Sequence, residues 1–225
     1  MKDKLLQHLE TFITPHRSEL IDNVLKMRTR YLTVVLEDIY QPHNASAVLR
    51  SCDCFGIQDI HIIENRNKYR LNPDITLGSD KWLDIHKHSR NDKNNTLMAI
   101  NFLKKKGYKI VATTLQTNSI SLEEFNLTNQ KTAILFGTEL NGLSDDAMNN
   151  ADEFIKIPMF GFTQSFNISV SAGIILYSLT NRLRTSFASW ELTIDEKLEL
   201  KIKWIKQGLR MGEKVEEFFL SRNEK

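Results

Sequence analysis

Apolar residues at helical spacing open the chain. Leu5, Leu6, Leu9 and Phe12 line one stripe, and Leu20, Ile21, Val24 and Leu25 line another, so the first thirty residues predict two short helices. Pro15 divides them, because a proline cannot continue the helix before it. The rhythm then shortens. YLTVVLED (31–38), DIHIIE (59–64), YKIVATT (108–114), TAILFG (132–137) and EFIKIP (153–158) read as strands, and His86 and His88 stand two apart on a further strand-like stretch. Between them lie two helix patterns, PHNASAVLRSCDCFG (42–56), opened by Pro and closed by Gly56, and NTLMAINFLKKKG (95–107), which ends in Lys and Gly. Short β-branched runs alternating with helices predict an α/β fold, a parallel sheet with helices on both faces. The chain closes in helix again, largely apolar over 166–187 and amphipathic over 195–220. Three parts follow: an N-terminal helical extension (1–30), an α/β domain (31–187) and a C-terminal helical extension (188–225).

Length and composition change this picture little. A chain of 225 residues buries one good-sized core, and a formal net charge of +2 names no polyanionic partner unless the basic residues cluster. They do gather toward the ends. Arg17, Arg28 and Arg30 lie in the first thirty residues, and Lys203, Lys206 and Arg210 recur at i, i+3, i+7 beside Trp204, a stripe suited to phosphate contacts or to a solvated helix face. Cys52 and Cys54 lack metal-site spacing and read as free thiols. No apolar run reaches the eighteen or so residues of a membrane span, and the N-terminus carries no leader pattern, so a cytoplasmic protein is expected.

In an open parallel sheet ligands bind beyond the carboxyl ends of the strands. Three loops there are richer than a connection needs: YQPHNASAVLRS after 31–38, GTELNGLSDDA after 132–137 and MFGFTQSFNIS after 153–158. No G-x-G-x-x-G follows a strand, no G-x-x-x-x-G-K-[ST] exists, SVSAG lacks the first glycine of a nucleophile elbow, and the six His have no metal spacing. What remains is a set of hydroxyls, amides and main-chain donors with one Arg and one Glu. Gly137 and Gly142 flank Glu139, allowing a ligand close to the main chain. Arg50 sits among apolar neighbours, where an Arg is normally paired or working. Ser165, Asn167, Ser169 and Ser171 alternate at a helix mouth, a pattern that fits either capping or a polar ligand.

These residues carry a resemblance. NASAVLR (44–50), FGTELNGLS (136–144) and IPMFGFTQSFNISVSAGIILY (157–177) resemble, in order and near the right spacing, motifs one to three of the SpoU/TrmH group of SPOUT RNA 2′-O-methyltransferases. LGSDKWLDIHKH (77–88) is similar to the matching segment of the tRNA guanosine-18 branch, and the likeness continues into both terminal extensions. Phe166 and Ile168 replace the Leu and Val of the group's S-L-N-V-S, a change of volume without loss of a polar group.

The resemblance implies a SPOUT sheet whose C-terminal part is tied in a deep trefoil knot, binding S-adenosylmethionine in a homodimer, with no metal. By the same likeness Asn44, Arg50, Glu139, Ser165 and Asn167 fall on catalytic positions, and Thr113, Gly137, Leu143, Ile157 and Phe166 on cofactor-lining ones. Ser169 and Ser171 are left to start the helix. The expected reaction is methyl transfer to a tRNA ribose 2′-OH, with guanosine-18 of the D-loop as target and the terminal helices gripping the tRNA. The competing readings are the same chemistry on rRNA or another tRNA position, and a non-catalytic RNA-binding dimer of the same fold.

Overall fold

The run LTVVLE forms β1 (Leu32–Glu37), every residue of it buried, in a computed structural model that describes residues 1–91, 93–115, 119–127 and 130–223. Around it lie β2 (Asp59–Ile63), β3 (Asp84–His88), β4 (Lys109–Thr113), β5 (Ile120–Ser121), β6 (Thr132–Phe136) and β7 (Glu153–Lys156). They make one sheet in the order β3-β2-β1-β6-β4-β7-β5, and every pairing between them is parallel. The strand β5 is a two-residue edge piece that the sequence pattern does not announce.

Alternation within the strands sorts side chains to two faces, as the pleat requires. Leu32, Val34 and Leu36 of β1 and Ile134 and Phe136 of β6 share one core with α3 (Pro42–Cys54) and α7 (Ile168–Arg184). Val35, Ala133 and Leu135 share the other with α5 (Asn95–Lys105) and α6 (Asp145–Asn150). Pro42 opens α3 as expected, and Pro73 stands likewise in the first turn of a short helix that the sequence pattern does not announce, α4 (Pro73–Thr76). A 3-10 turn over Ser79–Trp82 then leads into β3.

Strand order decides where ligands can go. From β1 the chain builds outward through β2 and β3, then returns to lay β4 and inserts β6 between β1 and β4. The order therefore reverses at the β1/β6 boundary, and the crevice beyond the carboxyl ends there is the usual ligand position.

Arg30–Trp190 forms one compact unit, and Met1–Thr29 with the chain from Glu191 onward forms a second. The second unit holds α1 (Lys2–Glu10), α2 (Pro15–Lys26), α8 (Ile194–Gly208) and α9 (Gly212–Asn223). Thr14 caps α2 and Pro15 is its first residue, while Thr193 and Glu196 form a reciprocal capping box on α8. The single amphipathic stretch expected over 195–220 is two helices. Leu209 adopts extended backbone, and Gly212 returns so close to the last turn of α8 that a Cβ there would lie 2.2 Å from the Lys206 carbonyl oxygen. Among the described residues no helix is long and apolar enough to cross a membrane.

On the β2/β3 edge three imidazoles stack. The His61 and His86 ring centroids are 4.7 Å apart, His61 Nδ1 and His88 Nε2 share a hydrogen bond of 3.0 Å, and His86 Nε2 meets Asp59 at 2.8 Å. Burial, and then the neighbouring His86 and His88, push His61 down from 6.5 to about 3. The unfolded chain therefore binds the extra proton between about pH 3 and 6.5, so the stability from neutral His61 is present above pH 6.5 and is lost as pH falls. Urea midpoints measured from pH 7 to pH 4 should fall, with His61 contributing up to about 1.4 kcal/mol per pH unit. His61→Phe should flatten that slope, and an unchanged slope would remove His61 as its source.

Candidate active site

The site begins at the first turn of α3, where Asn44 is 7% exposed and each end of its amide is held. Its Nδ2 donates to Gln41 Oε1 at 3.2 Å and, by a short contact, to Glu139 Oε1. Its Oδ1 accepts from Asn167 Nδ2 at 3.1 Å. An ionised carboxylate can only accept, so the Glu139 contact sets which way the Asn44 amide faces. The three motif segments, far apart in sequence, are thus joined by one chain of hydrogen bonds.

Asn167 performs both roles that the sequence left open. Its Oδ1 accepts from the Ser169 backbone N–H at 2.9 Å and from the Ser169 hydroxyl at 2.5 Å, which caps α7, while its Nδ2 reaches Asn44. A side-chain amide has a donor end and an acceptor end, and here they serve different partners.

The loop carrying Glu139 is closed on itself. Thr138 N donates to Gly142 O at 2.9 Å and Gly142 N to Thr138 O at 3.0 Å, with Gly142 at φ +67°. A Cβ on Gly137 would lie 2.1 Å from the Gly142 carbonyl carbon, so no other residue fits that position. The loop base is fastened by Glu37 at the end of β1. This carboxylate is 2% exposed, accepts from Ser144 N at 2.9 Å and Ser144 Oγ at 2.7 Å, and is bonded by the Thr96 hydroxyl. Glu37 lies in none of the three motifs; its signal in the sequence is a carboxylate closing a strand run that is apolar apart from Thr33.

Beyond the carboxyl ends of β4, β6 and β7 lies a cavity of about 500 Å³. Thr113, Gly137, Leu143, Ile157 and Phe166 all line it, as do Glu139 and Ser165. Thr113 is fixed by donating its hydroxyl to Leu135 O at 2.8 Å. Apolar side chains, main chain of two tight loops, a carboxylate and hydroxyls face one space, a donor set suited to a ligand with both a flat apolar part and charged, hydroxylated parts.

Other candidates lie elsewhere. Arg50 is on the exposed side of α3, away from the Asn44 hydrogen bonds, and pairs with no described residue. Its expected burial beside the core does not occur, because six residues along a helix turn it well off the Asn44 face. Arg28, expected at a tRNA-facing surface, is 2% exposed and packs its guanidinium 5.2 Å from the Trp204 ring centroid. Arg30 is engaged as well, bonded to Asp59 at 2.5 Å and to Asp84 at 2.6 Å. Lys206 bridges to Glu213 at 3.0 Å and to Glu216. Arg210 lies past the end of α8, so the stripe from Lys203 does not run on as one helix face, and Trp204 is core. Arg17 is half-buried, Lys203 half-buried and Arg210 exposed. Among the described residues no group of three or more His, Cys, Asp or Glu is arranged to hold a metal ion.

Comparison with known proteins places this geometry. The model of the SpoU rRNA Methylase family matches residues 31–177, which contain all three motif loops. A tRNA (guanosine(18)-2′-O)-methyltransferase of Borreliella burgdorferi is 46% identical over 219 residues, 96% of this chain and 98% of that protein. One of Thermus thermophilus is 38% identical over 164 residues, 73% of this chain and 81% of the relative. The solved TrmH/SpoU tRNA modifying enzyme of A. aeolicus matches with a TM-score of 0.76 at 32% identity, over 86% of this chain and 97% of that one. The all-parallel sheet with the interposed β6, the motif loops gathered at one edge and a likeness running almost end to end agree with one another: the chain belongs to the SpoU rRNA Methylase family.

Proposed function

We propose that this chain is an S-adenosylmethionine-dependent tRNA ribose 2′-O-methyltransferase whose target is guanosine-18 of the D-loop. The observation that carries the reading is the hydrogen-bonded chain Glu139–Asn44–Asn167 beside a cavity that the five cofactor-position residues share. The relatives named for guanosine-18 methylation supply the target. A working form as a cytoplasmic homodimer, with the trefoil knot of the SPOUT group, belongs to the same proposal. Supporting it are apolar side chains left exposed on α7, Val170 at 46% and Tyr177 at 60%, and on the loop before it, Phe160 at 97% and Phe162 at 109%.

The cavity fits the cofactor by its chemistry. Leu143, Ile157 and Phe166 offer apolar walls for the purine, and Glu139, Thr113 and the main chain of 137–143 offer groups for the amino acid and ribose parts. When bound, S-adenosylmethionine supplies an electrophilic methyl group on a cationic sulfur.

The protein's own residues must do the rest. A ribose hydroxyl is a poor nucleophile at neutral pH and has to lose its proton as it attacks. A guanidinium is charged in water at ordinary pH, and Arg50 carries one. It therefore serves by holding an RNA phosphate and the charge that builds on the attacking oxygen; acting as the base would require that phosphate's help. Asn44, fixed at both ends, and Ser165, exposed on the cavity rim, orient the ribose, while Glu139 holds the Asn44 amide in place. Of the terminal basic residues, this reading assigns the phosphate contacts to Arg210, which is exposed, and to the half-buried Lys203 and Arg17.

Labelled cofactor offered with bulk tRNA and rRNA should mark the tRNA, and nuclease mapping should place the resistant 2′-O-methyl linkage at guanosine-18. Label in rRNA alone would overturn the target. Arg50→Ala should lower kcat/KM by about a hundredfold or more while cofactor affinity by calorimetry and the sedimentation coefficient stay as in the parent, because losing a group that acts on transition-state charge costs about 3 kcal/mol. Turnover within tenfold of the parent would exclude that role. Neutralising Lys203 and Arg210 together should weaken tRNA binding and flatten its salt dependence by about one unit of log–log slope per lost phosphate contact. An unchanged slope would mean that these two side chains do not touch the backbone.

A further inference from the structure

A second cavity, of about 520 Å³, lies on the other side of the Glu139 loop, between that loop and the segment after β2. The two cavities share a wall, since Thr138, Asn141, Gly142, Leu143 and Asp145 line both. None of the five cofactor-position residues except Leu143 faces the second space.

Its far side is built with care. Asp38 stands at φ +51°, a left-handed conformation that aspartate tolerates better than most residues. There its Oδ1 accepts from the backbone N–H groups of Asn65 at 2.7 Å, Arg66 at 2.9 Å and Asn67 at 3.3 Å, and its carbonyl oxygen accepts from Asn67 Nδ2 at 2.8 Å. The segment carrying Arg66 is thus fastened to the end of β1, as the Glu139 loop is through Glu37. Arg66 and Asp145 both line the cavity, both are exposed, and neither side chain is paired with the other or with any described residue. Lys68 and Arg70, also exposed, follow on the same segment.

We propose that this second cavity receives the base of the nucleoside to be methylated, and that Asp145 and Arg66 select guanine there. The assignment rests on the RNA 2′-O-methyl transfer proposed above. Guanine presents two adjacent donors, N1–H and the N2 amino group, and two acceptors, O6 and N7. A carboxylate accepts both donors at once, and a guanidinium fork donates to both acceptors, the commonest specific contact made to guanine. Adenine offers the carboxylate an acceptor at N1 and so is rejected. The shared wall places the cofactor cavity on one side of the loop and the base on the other. Lys68 and Arg70 then stand on the rim, where the RNA backbone would enter.

Single-turnover methylation of tRNA transcripts carrying guanosine, inosine or adenosine at the target position tests this. Inosine lacks only the N2 amino group. The parent enzyme should methylate the inosine transcript about 10- to 100-fold more slowly than the guanosine one, the usual worth of a bidentate base contact. In Asp145→Asn the guanosine rate should fall and the guanosine-to-inosine ratio should shrink to about threefold or less. Arg66→Gln should slow both transcripts equally and keep the ratio, because O6 and N7 are common to both. A parent enzyme indifferent to inosine, or an Asp145→Asn variant that keeps the parent ratio, would overturn the proposal. Saturation-transfer NMR with guanosine and adenosine 5′-monophosphates reads the cavity without any methyl transfer. Guanosine signal lost in Asp145→Asn supports the site; equal signals for the two nucleotides, or no effect of the substitution, overturn it. A protein that binds guanosine in this way yet methylates no tRNA would sink the proposed reaction while leaving the base site standing.

Discussion

A buried carboxylate at the end of the first strand governs the ligand-binding edge. Glu37 closes β1 after five apolar or small residues, 2% exposed, and its oxygens receive the backbone and hydroxyl of Ser144 and the hydroxyl of Thr96. A buried carboxyl is tolerable only when its oxygens are hydrogen-bonded, and these three bonds reach both of them. The same bonds tie β1 to the start of α6 and to the first turn of α5. At the far end of the loop Leu143 packs against the second core and Ser144 caps α6, and both cavities depend on where that loop stands. Removing the carboxylate would leave the Ser144 N–H without its acceptor and free the wall between the two spaces.

Capping and binding are usually offered as rival explanations for a polar residue at a helix start. In Asn167 they are one arrangement. The oxygen that caps α7 fixes the amide plane, and the fixed plane aims the nitrogen at Asn44. Asn44 is oriented in turn by Glu139, whose carboxyl oxygen accepts from its Nδ2. Preorganisation of this kind costs nothing further when a substrate arrives, because the groups are already held by bonds that the fold needs.

The helical unit uses charge differently. Lys201 meets Glu10 at 2.7 Å and Asp22 at 2.8 Å, linking α8 to α1 and α2, and Lys206 links α8 to α9. Arg28 lies against Trp204 inside the unit. Cations that a sequence displays as a basic surface thus become internal fastenings wherever a second helix brings carboxylates or an aromatic ring into reach. What remains for a polyanion is a smaller set than the composition suggests.

The sequence by itself determined the parallel α/β architecture, because strands buried on both faces must be apolar throughout and helices between them must carry a 3.6-residue period, and both patterns are local. It determined the helix starts at Pro15 and Pro42 and the three loops that form the site, since proline, glycine and hydrogen-bonding residues mark backbone positions directly. It also assembled the residues of the first cavity, through likeness to a family whose motifs occur in the same order. Only the tertiary structure decided which charges are spent: Arg30 finds Asp59 and Asp84, Arg28 finds Trp204, and Glu37 finds Ser144, 107 residues away. It decided too that Arg50 faces outward, that 195–220 breaks at Leu209, and that Asp38 gathers the backbone of 65–67 to form the wall of a second cavity. The reason is the same in each case. Periodicity tells which face of an element is buried, whereas the partner met by a polar side chain depends on strand order, and β1 here lies between the second and the sixth strands in sequence.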